Sequence, residues 1–286
     1  MTQKKNCQLL VNADDFGRHV LINRAVAECV ERGCLRSATL MPGGRAFDDA
    51  VDVARAHPAL GVGIHFTLVN GFPVCPPEDI PSLVTEEGVF YDNHVQFVKR
   101  FLAGRIRMED VRRELAAQAE KMERTGLALT HVDSHQHMHV LPGIFDAVLD
   151  AAAALHLDAV RIPRTPLFSG SFGGLGQLVG RLGLFILAEI AGREAARRGF
   201  RTPDHFAGIV AGEAVDEPCF RSIVEHLKPG ATEVMMHPGT DTAVLQKACL
   251  WDHDFEAERN AIISPSIAAL LKDKRVEIIN FRNLGE

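Results

Sequence analysis

Four short segments rich in aspartate and histidine occur along the chain, each where an apolar run ends. They are Asn12–Gly17, Gly63–His65, His131–His139 and Met236–Gly239. Aspartate and neutral histidine are ligands that suit a divalent metal. Enzymes of the α/β class commonly assemble an active site from ionisable groups at the ends of separate strands. The sequence therefore predicts one metal-binding active site to which all four segments contribute.

The first segment contains two adjacent carboxylates, Asp14 and Asp15, and Gly17 then lets the chain turn. Such a pair allows one carboxylate to bind a metal while the other handles a proton. The alternative is a structural turn or helix cap, for which aspartate is also favoured. His65 ends the third apolar run, and a lone histidine is more often structural than a ligand. Its predicted position on the same rim as the aspartates favours the functional interpretation.

The segment 131–139 holds four histidines and Asp133. In an extended chain His135, His137 and His139 would share one face, whereas in a helix His135 and His139 would be paired. We expect metal binding within this segment, with Asp133 available to orient a ligating imidazole. Because a metal site needs only two or three histidines, the others are structural or substrate-facing, and the roles of His137 and His139 stay open.

Two further residues are candidates for the site. His237 ends an apolar run, and a histidine titrates near neutrality, so it suits a general acid; the alternative is a histidine hydrogen-bonded within a turn. Arg161 directly follows the apolar Val160. It could hold a carboxylate, orient the catalytic aspartate or bind substrate oxygens.

Alternating β and α patterns must position these residues. We predict strands near 8–12, 37–41, 61–66, 129–133, 158–162, 205–210, 232–236 and 276–281. Near-continuous apolar strands alternating with helices indicate a parallel sheet covered by helices. The strand count favours a closed or nearly closed TIM-like (β/α) barrel of about 7–8 mostly parallel strands, with an open doubly wound sheet as the competitor. We expect a single domain over residues 1–286, with an insertion around 70–125.

Composition excludes some classes of partner. The net charge of −6 argues against a nucleic-acid surface. The six cysteines form no C-x-x-C pair and no secretory segment is evident, so we expect reduced thiols and a cytoplasmic protein. The apolar run 175–190 is interrupted by charges and is too short for stable membrane insertion. We expect a buried or dimer-facing helix there, hence a homodimer, with a lipid-facing role as the alternative.

With the four motifs in this order, the chain resembles the YdjC-type carbohydrate deacetylases from residue 8 to about 282. The resemblance implies a distorted barrel enzyme that removes acetyl groups from N-acetylated amino sugars, such as chitin-derived disaccharides, with one divalent metal. Ligand softness favours zinc, and the resemblance points as readily to magnesium. One subgroup is associated with hopanoid lipid synthesis, which keeps a glycolipid or hopanoid intermediate as an alternative substrate.

The resemblance also implies roles for individual residues. Asp15, His65 and His135 would be the metal ligands, Asp14 the base that activates water, and His237 the acid. Another metal-dependent amidohydrolase or phosphoesterase would use similar ligands, typically with a second metal or a bridging lysine, and no convincing lysine follows a strand. The non-enzymatic alternative is a sugar-binding module with a dead site. The intact base and acid argue against it.

Overall fold

One sheet of parallel strands forms the centre of the protein. The computed structural model describes residues 6–164, 175–209 and 214–285. Within them the sheet is seven-stranded, with the order β4-β3-β2-β1-β6-β5 and β7 also paired with β1, and every pairing is parallel. In chain order the strands are β1 (Cys7–Phe16), β2 (Ser37–Leu40), β3 (Gly61–Phe66), β4 (Leu129–Ser134), β5 (His205–Ala207), β6 (Gly230–Met236) and β7 (Glu277–Ile278).

The segment 158–162 connects the two edges of this curled sheet. Instead of the regular strand that the sequence predicts, it makes isolated parallel bridges, Val160 with Val132 of β4 and Ala159 with Arg201, shortly before β5. Pro163 lacks an N–H group and so cannot extend the ladder further. The curled, all-parallel sheet fits a distorted TIM-like barrel, and the predicted fold class is confirmed.

Helices alternate with the strands and cover the sheet. Their apolar faces are buried, as on the first helix, where Ile22, Val26 and Cys29 are almost inaccessible. Ser264 caps the last α-helix with its side chain, and Pro265 occupies the first helical position. The helices are α1 (Val20–Arg32), α2 (Phe47–Ala56), α3 (His94–Leu102), α4 (Met108–Glu123), α5 (Ile144–Ala154), α6 (Leu175–Arg197), α7 (Glu217–Glu225), α8 (Thr242–Cys249), α9 (Phe255–Ile262) and α10 (Pro265–Asp273).

Five of the strands, β1, β2, β3, β4 and β6, are buried along almost their whole length. In β1 every residue from Leu9 to Phe16 is buried, and each fully buried large apolar side chain contributes on the order of 1.5–3 kcal/mol. The same strands bury polar and charged side chains, which is costly unless they are paired. They include Asn12, Asp14, Asp15, Thr39, His65, Asp133 and Glu233. The barrel therefore carries a charged cluster in its interior.

The segment 70–125 contains α3 and α4, and α4 is tied to the loop after β3. The Gln118 side chain accepts a hydrogen bond from the Thr67 backbone N–H and donates one to the Thr67 carbonyl, at 2.9 and 2.7 Å. Glu114 accepts hydrogen bonds from the backbone N–H groups of Val74 and Cys75. The prediction of a single domain with an insertion here stays a prediction.

An apolar stripe lies on the surface of α6. Leu182, Ile186 and Ile190, spaced four residues apart, are 45%, 49% and 51% exposed. Among the described residues no helix has the length and hydropathy needed to cross a membrane. Contact with another molecule could cover this stripe. The predicted homodimer stays a prediction.

Candidate active site

The four sequence segments meet at one edge of the barrel. Asp14 and Asp15 lie at the end of β1, His65 lies near the end of β3, His135 directly follows β4, and His237 directly follows β6. All these strands are parallel, so their carboxyl ends point to the same side. The structure thus brings the predicted site residues to one place.

Asp15, His65 and His135 converge through their ligand atoms. Asp15 Oδ1 lies 2.8 Å from His135 Nδ1 and 3.4 Å from His65 Nε2. All three side chains are buried, yet neither Asp15 Oδ1 nor His65 Nε2 has a hydrogen-bond partner in the described part of the chain. Because buried polar atoms are nearly always satisfied, this convergence fits a bound cation. One carboxylate and two imidazoles are a donor set for a divalent metal.

The backbone adopts uncommon conformations to present these side chains. Asp15 has φ 60°, and the consecutive residues Gln136 and His137, just after His135, have φ 52° and 58°. The left-handed region costs non-glycine residues on the order of 1–3 kcal/mol each, so the surrounding fold must impose it. Gly17 has φ 87°, and a Cβ there would lie 2.6 Å from Leu40 Cδ1. Only glycine fits this turn without displacement.

Asp133 orients His65. The two residues are register partners on β4 and β3, and His65 Nδ1 lies 2.7 Å from Asp133 Oδ1. Burial alone would lower the pKa of His65, but Asp133 and Asp15 together raise it to about 10. The Nδ1–H bond to Asp133 turns Nε2 toward Asp15, which is how metal-ligating histidines are usually held.

Arg161 is the centre of a buried ionic network. Its guanidinium is fully buried and contacts both oxygens of Asp14 at 2.6 Å, Asp133 at 2.5 Å and Glu233 at 2.7 Å. Burial would raise the pKa of Asp14, but Arg161 outweighs it and holds that pKa below its usual value. Burial wins for Glu233 and raises its pKa to about 7. Of the roles open to Arg161, this geometry matches holding carboxylates.

His131 is a core residue. Its ring stacks on Phe281 with centroids 3.6 Å apart, and Thr130 Oγ1 lies 2.8 Å from its Nδ1. A Cβ on Gly63 would lie 2.4 Å from His131 Cε1, so the glycine makes room for the ring. Burial lowers the pKa of His131 to about 3, so the ring is neutral. The first histidine of this segment is therefore structural.

His139 is held inside the protein, whereas His137 lies between it and Phe206. His139 lies 2.6 Å from Ser134 Oγ and 3.0 Å from the Arg161 carbonyl, and burial lowers its pKa to about 4. The His137 ring centroid is 6.3 Å from that of His139 and 6.0 Å from that of Phe206. His137 Nδ1 has no hydrogen-bond partner among the described residues. His135 alone of these histidines joins Asp15 and His65.

His237 lies beside a second group of side chains. Its backbone N–H donates to Glu258, whose Oε2 lies 3.9 Å from His237 Nδ1. Burial lowers the pKa of His237, although Glu258, Asp14 and Asp15 act to raise it. His237, His253 and Glu258 are close enough to share a cation. Glu258 also accepts the Val215 N–H, so both of its oxygens are already engaged.

Sequence reasoning missed Arg18 and Glu233. It also missed a third feature, the group formed by Trp251, His253 and Glu258. Arg18 NH1 lies 2.9 Å from Asp15 Oδ2 and 3.2 Å from His135 Nε2. Its signal is an arginine directly after the turn glycine. Glu233 could have been found as a lone carboxylate inside an apolar strand. The signal of the third group is the chain's single tryptophan, Trp251, within an acid- and histidine-rich run.

The fold and site define a parallel (β/α)-barrel protein with a candidate metal centre at the carboxyl ends of its strands, where barrel enzymes have their active sites. The YdjC-like protein family matches residues 8–273, and the chain belongs to this family, as its motifs predict.

Similar proteins extend over almost the whole chain. A carbohydrate deacetylase of Brevibacillus brevis is 32% identical and covers 97% of this chain and 100% of the relative. A chitooligosaccharide deacetylase of Salmonella paratyphi B is 30% identical, with coverages of 93% and 94%. The crystal structure of a putative cellobiose-phosphate cleavage protein from Enterococcus faecalis V583 has a TM-score of 0.71 at 22% identity, covering 96% of this chain and 98% of that one. This last likeness concerns the fold.

Proposed function

We propose that the protein is a carbohydrate deacetylase that hydrolyses the acetamido group of N-acetylated amino sugars with one divalent metal ion. Family membership and the names of the relatives support the reaction class. The observation that carries the proposal is the convergence of Asp15, His65 and His135, in which Asp15 Oδ1 and His65 Nε2 are buried and lack hydrogen-bond partners within the described part of the chain.

Asp15, His65 and His135 would hold the ion, either magnesium or zinc. An ion held there would polarise the acetyl carbonyl and lower the pKa of a water molecule. Asp133 fixes the His65 ring through Nδ1, so Nε2 is available as a ligand without rotation of the side chain. Arg18 lies against both Asp15 and His135 and limits the movement of those side chains.

Asp14 is the base in this proposal. Arg161 contacts both of its oxygens, and Asn12 Nδ2 donates to Oδ1 at 2.9 Å, so the carboxylate has one fixed orientation. Its lowered pKa keeps it ionised at neutral pH and thus able to take a proton from the attacking water. Arg161 acts as the residue that positions Asp14.

His237 is the acid that protonates the departing amine. Its side chain is only 14% exposed, and the carboxylates of Glu258, Asp14 and Asp15 favour its protonated form. Burial outweighs these carboxylates and lowers the pKa, so an imidazolium that forms during the reaction gives up its proton readily when the amine leaves.

A glycolipid or hopanoid intermediate is the second candidate substrate. The exposed stripe of Leu182, Ile186 and Ile190 on α6 favours it, since an apolar helix face can lie against a lipid surface. Flotation with anionic and neutral liposomes tests this candidate. Protein that stays with the soluble fraction at every lipid composition would exclude it.

The proposed function is tested by acetate release from mono- and oligosaccharides of N-acetylglucosamine. The protein is assayed metal-replete, after chelation, and after return of one metal at a time. Release that is lost on chelation and restored by one metal supports both the reaction and the cofactor. Absence of release from every sugar while metal stays bound would contradict the amino-sugar proposal and favour another amidohydrolase, a phosphoesterase or a dead site that only binds sugar.

A further inference from the structure

Trp251 lies beside His237 and is 39% exposed. The two ring centroids are 4.9 Å apart, with the rings nearly perpendicular. His253 stacks on one face of the tryptophan, with centroids 3.9 Å apart and an angle of 16° between the planes. A large aromatic side chain is thus held partly in solvent next to the proposed acid.

Among the described residues, no aromatic ring lies on the face of Trp251 opposite His253. The Phe255 centroid is 5.6 Å from Trp251 but only 4.8 Å from His253. The His237 centroid is 4.9 Å from Trp251 and 5.5 Å from His253. The Trp251 and His253 ring centroids are 3.9 Å apart. A ring on the face of the indole opposite His253 would therefore lie nearly 3.9 Å farther from His253 than from Trp251. Both rings therefore lie at the edge of the indole or on the His253 side.

The loop that carries Trp251 is tied to the candidate metal residues. Arg18 donates from NH2 to the Cys249 carbonyl at 3.3 Å and from NH1 to Asp15 at 2.9 Å. Gln246 donates to the Asp252 side chain at 2.9 Å, bracing the loop from α8. The indole is consequently held at a defined place relative to Asp15.

We propose that the face of Trp251 opposite His253 is a sugar-binding surface on which a pyranose ring of the acetylated saccharide stacks. The face of an indole is electron-rich, and it attracts the weakly positive C–H groups on the apolar face of a pyranose. His253 supports the indole from behind, and His237 lies at its edge. This inference rests on the proposed function, because it names the part of the same site that binds the saccharide.

Trp251 is the chain's single tryptophan, so its emission reports on this position alone. We expect a saturable change in tryptophan emission when the metal-replete wild-type protein is titrated with an N-acetylglucosamine oligosaccharide in the first seconds after mixing. Maltose, which has pyranose rings without acetamido groups, serves as the control sugar at the same concentrations and pH. The half-saturation concentration should agree with KM to within a few-fold.

Kinetics of acetate release provide the second measurement. In Trp251→Ala we expect KM to rise about tenfold with kcat changed less than threefold, the scale of one aromatic stacking contact. Trp251→Phe keeps a smaller aromatic face and should raise KM only two- to threefold. Leu250→Ala is the control, because Leu250 is the adjacent residue and is 83% exposed. Circular dichroism of each variant checks the fold.

The outcomes separate this inference from the proposed function. Unchanged emission at saccharide concentrations that saturate acetate release would overturn the inference, and so would an unchanged KM in Trp251→Ala. If no saccharide releases acetate, the proposed function fails. A saturable emission change would then still support sugar binding at Trp251, whereas silent emission would overturn both.

Discussion

Replacement of Arg161 by methionine should destabilise the protein through a defined cause. Methionine keeps the unbranched shape of the side chain but leaves Asp14, Asp133 and Glu233 without their shared cation. These three carboxylates are buried and lie 2.5–2.7 Å from the guanidinium. Removing one partner of a buried ion pair costs about 3–5 kcal/mol, because the remaining charge has neither solvent nor counter-ion.

For a chain of this size each kcal/mol shifts the melting temperature by about 2 °C, so Tm should fall by roughly 6–10 °C. Arg197→Met is the matched control. Arg197 makes the same two-pronged contact with Glu194, but its side chain is 71% exposed, and a surface pair contributes about 0–1 kcal/mol. Melting is measured by calorimetry with chelator present, so that loss of metal does not contribute to the difference.

The deficit of Arg161→Met should also depend on pH with a definite sign. In the wild type the folded-state pKa values of Asp14 and Asp133 are depressed, so their pairing stabilises the protein above the usual aspartate pKa and is lost in acid. Without Arg161, burial raises both pKa values and penalises the ionised forms. The difference from the wild type should therefore be largest near neutrality and shrink below about pH 4. A deficit under 1 kcal/mol at pH 7, or one that grows in acid, would refute this account.

Further variants test the other residues of the candidate site. His135→Ala should abolish metal binding by titration calorimetry and acetate release with it, and retention of the ion would contradict the ligand assignment. Asp14→Asn should bind the ion normally but lose about a hundredfold or more in kcat, and full turnover would rule out the base assignment. Asp133→Ala frees the His65 ring and should weaken metal affinity by about 10–100-fold, whereas unchanged affinity would deny Asp133 its orienting role. Glu233→Gln should stabilise the protein above pH 7, because the folded-state pKa of Glu233 is raised to about 7 and the stability that its protonated form contributes is lost as pH rises from the usual glutamate value. Chemical denaturation at pH 4 should show no difference in the free energy of unfolding between this variant and the wild type, whereas at pH 8 the variant should be the more stable. An equal difference at both pH values would contradict this reasoning.

Local patterns predicted most of the fold. The strand ends that carry Asp15, His65, His135 and His237 follow from apolar runs that stop at polar residues, and the parallel sheet follows from their alternation with helices. The segment 158–162 was placed correctly in the chain, but its two isolated bridges depend on the neighbouring edges of the barrel and on Pro163. A local pattern contains no information about closure.

The site was predictable where residue type alone indicates chemistry, and unpredictable where the role depends on long-range contacts. His131 and His135 look alike in the sequence, yet one stacks on Phe281, 150 residues further along the chain, and the other meets Asp15. Glu233 was overlooked because, in the pattern of a strand, it is only one polar residue that interrupts an apolar run. Its partner Arg161 is 72 residues away, so only the tertiary structure shows the pairing.

The left-handed residues next to the ligands bear on how this protein could be engineered or could diverge. Gln136 and His137 hold conformations that glycine adopts at no steric cost, so glycine at position 136 would be expected to raise the melting temperature. The same replacement would remove the Gln136 side chain, which accepts a hydrogen bond from the His94 backbone N–H at 2.8 Å, and would loosen the turn that presents His135. Directed evolution for heat resistance should therefore find stabilising changes at this turn that lower turnover, and selection for activity should reject them.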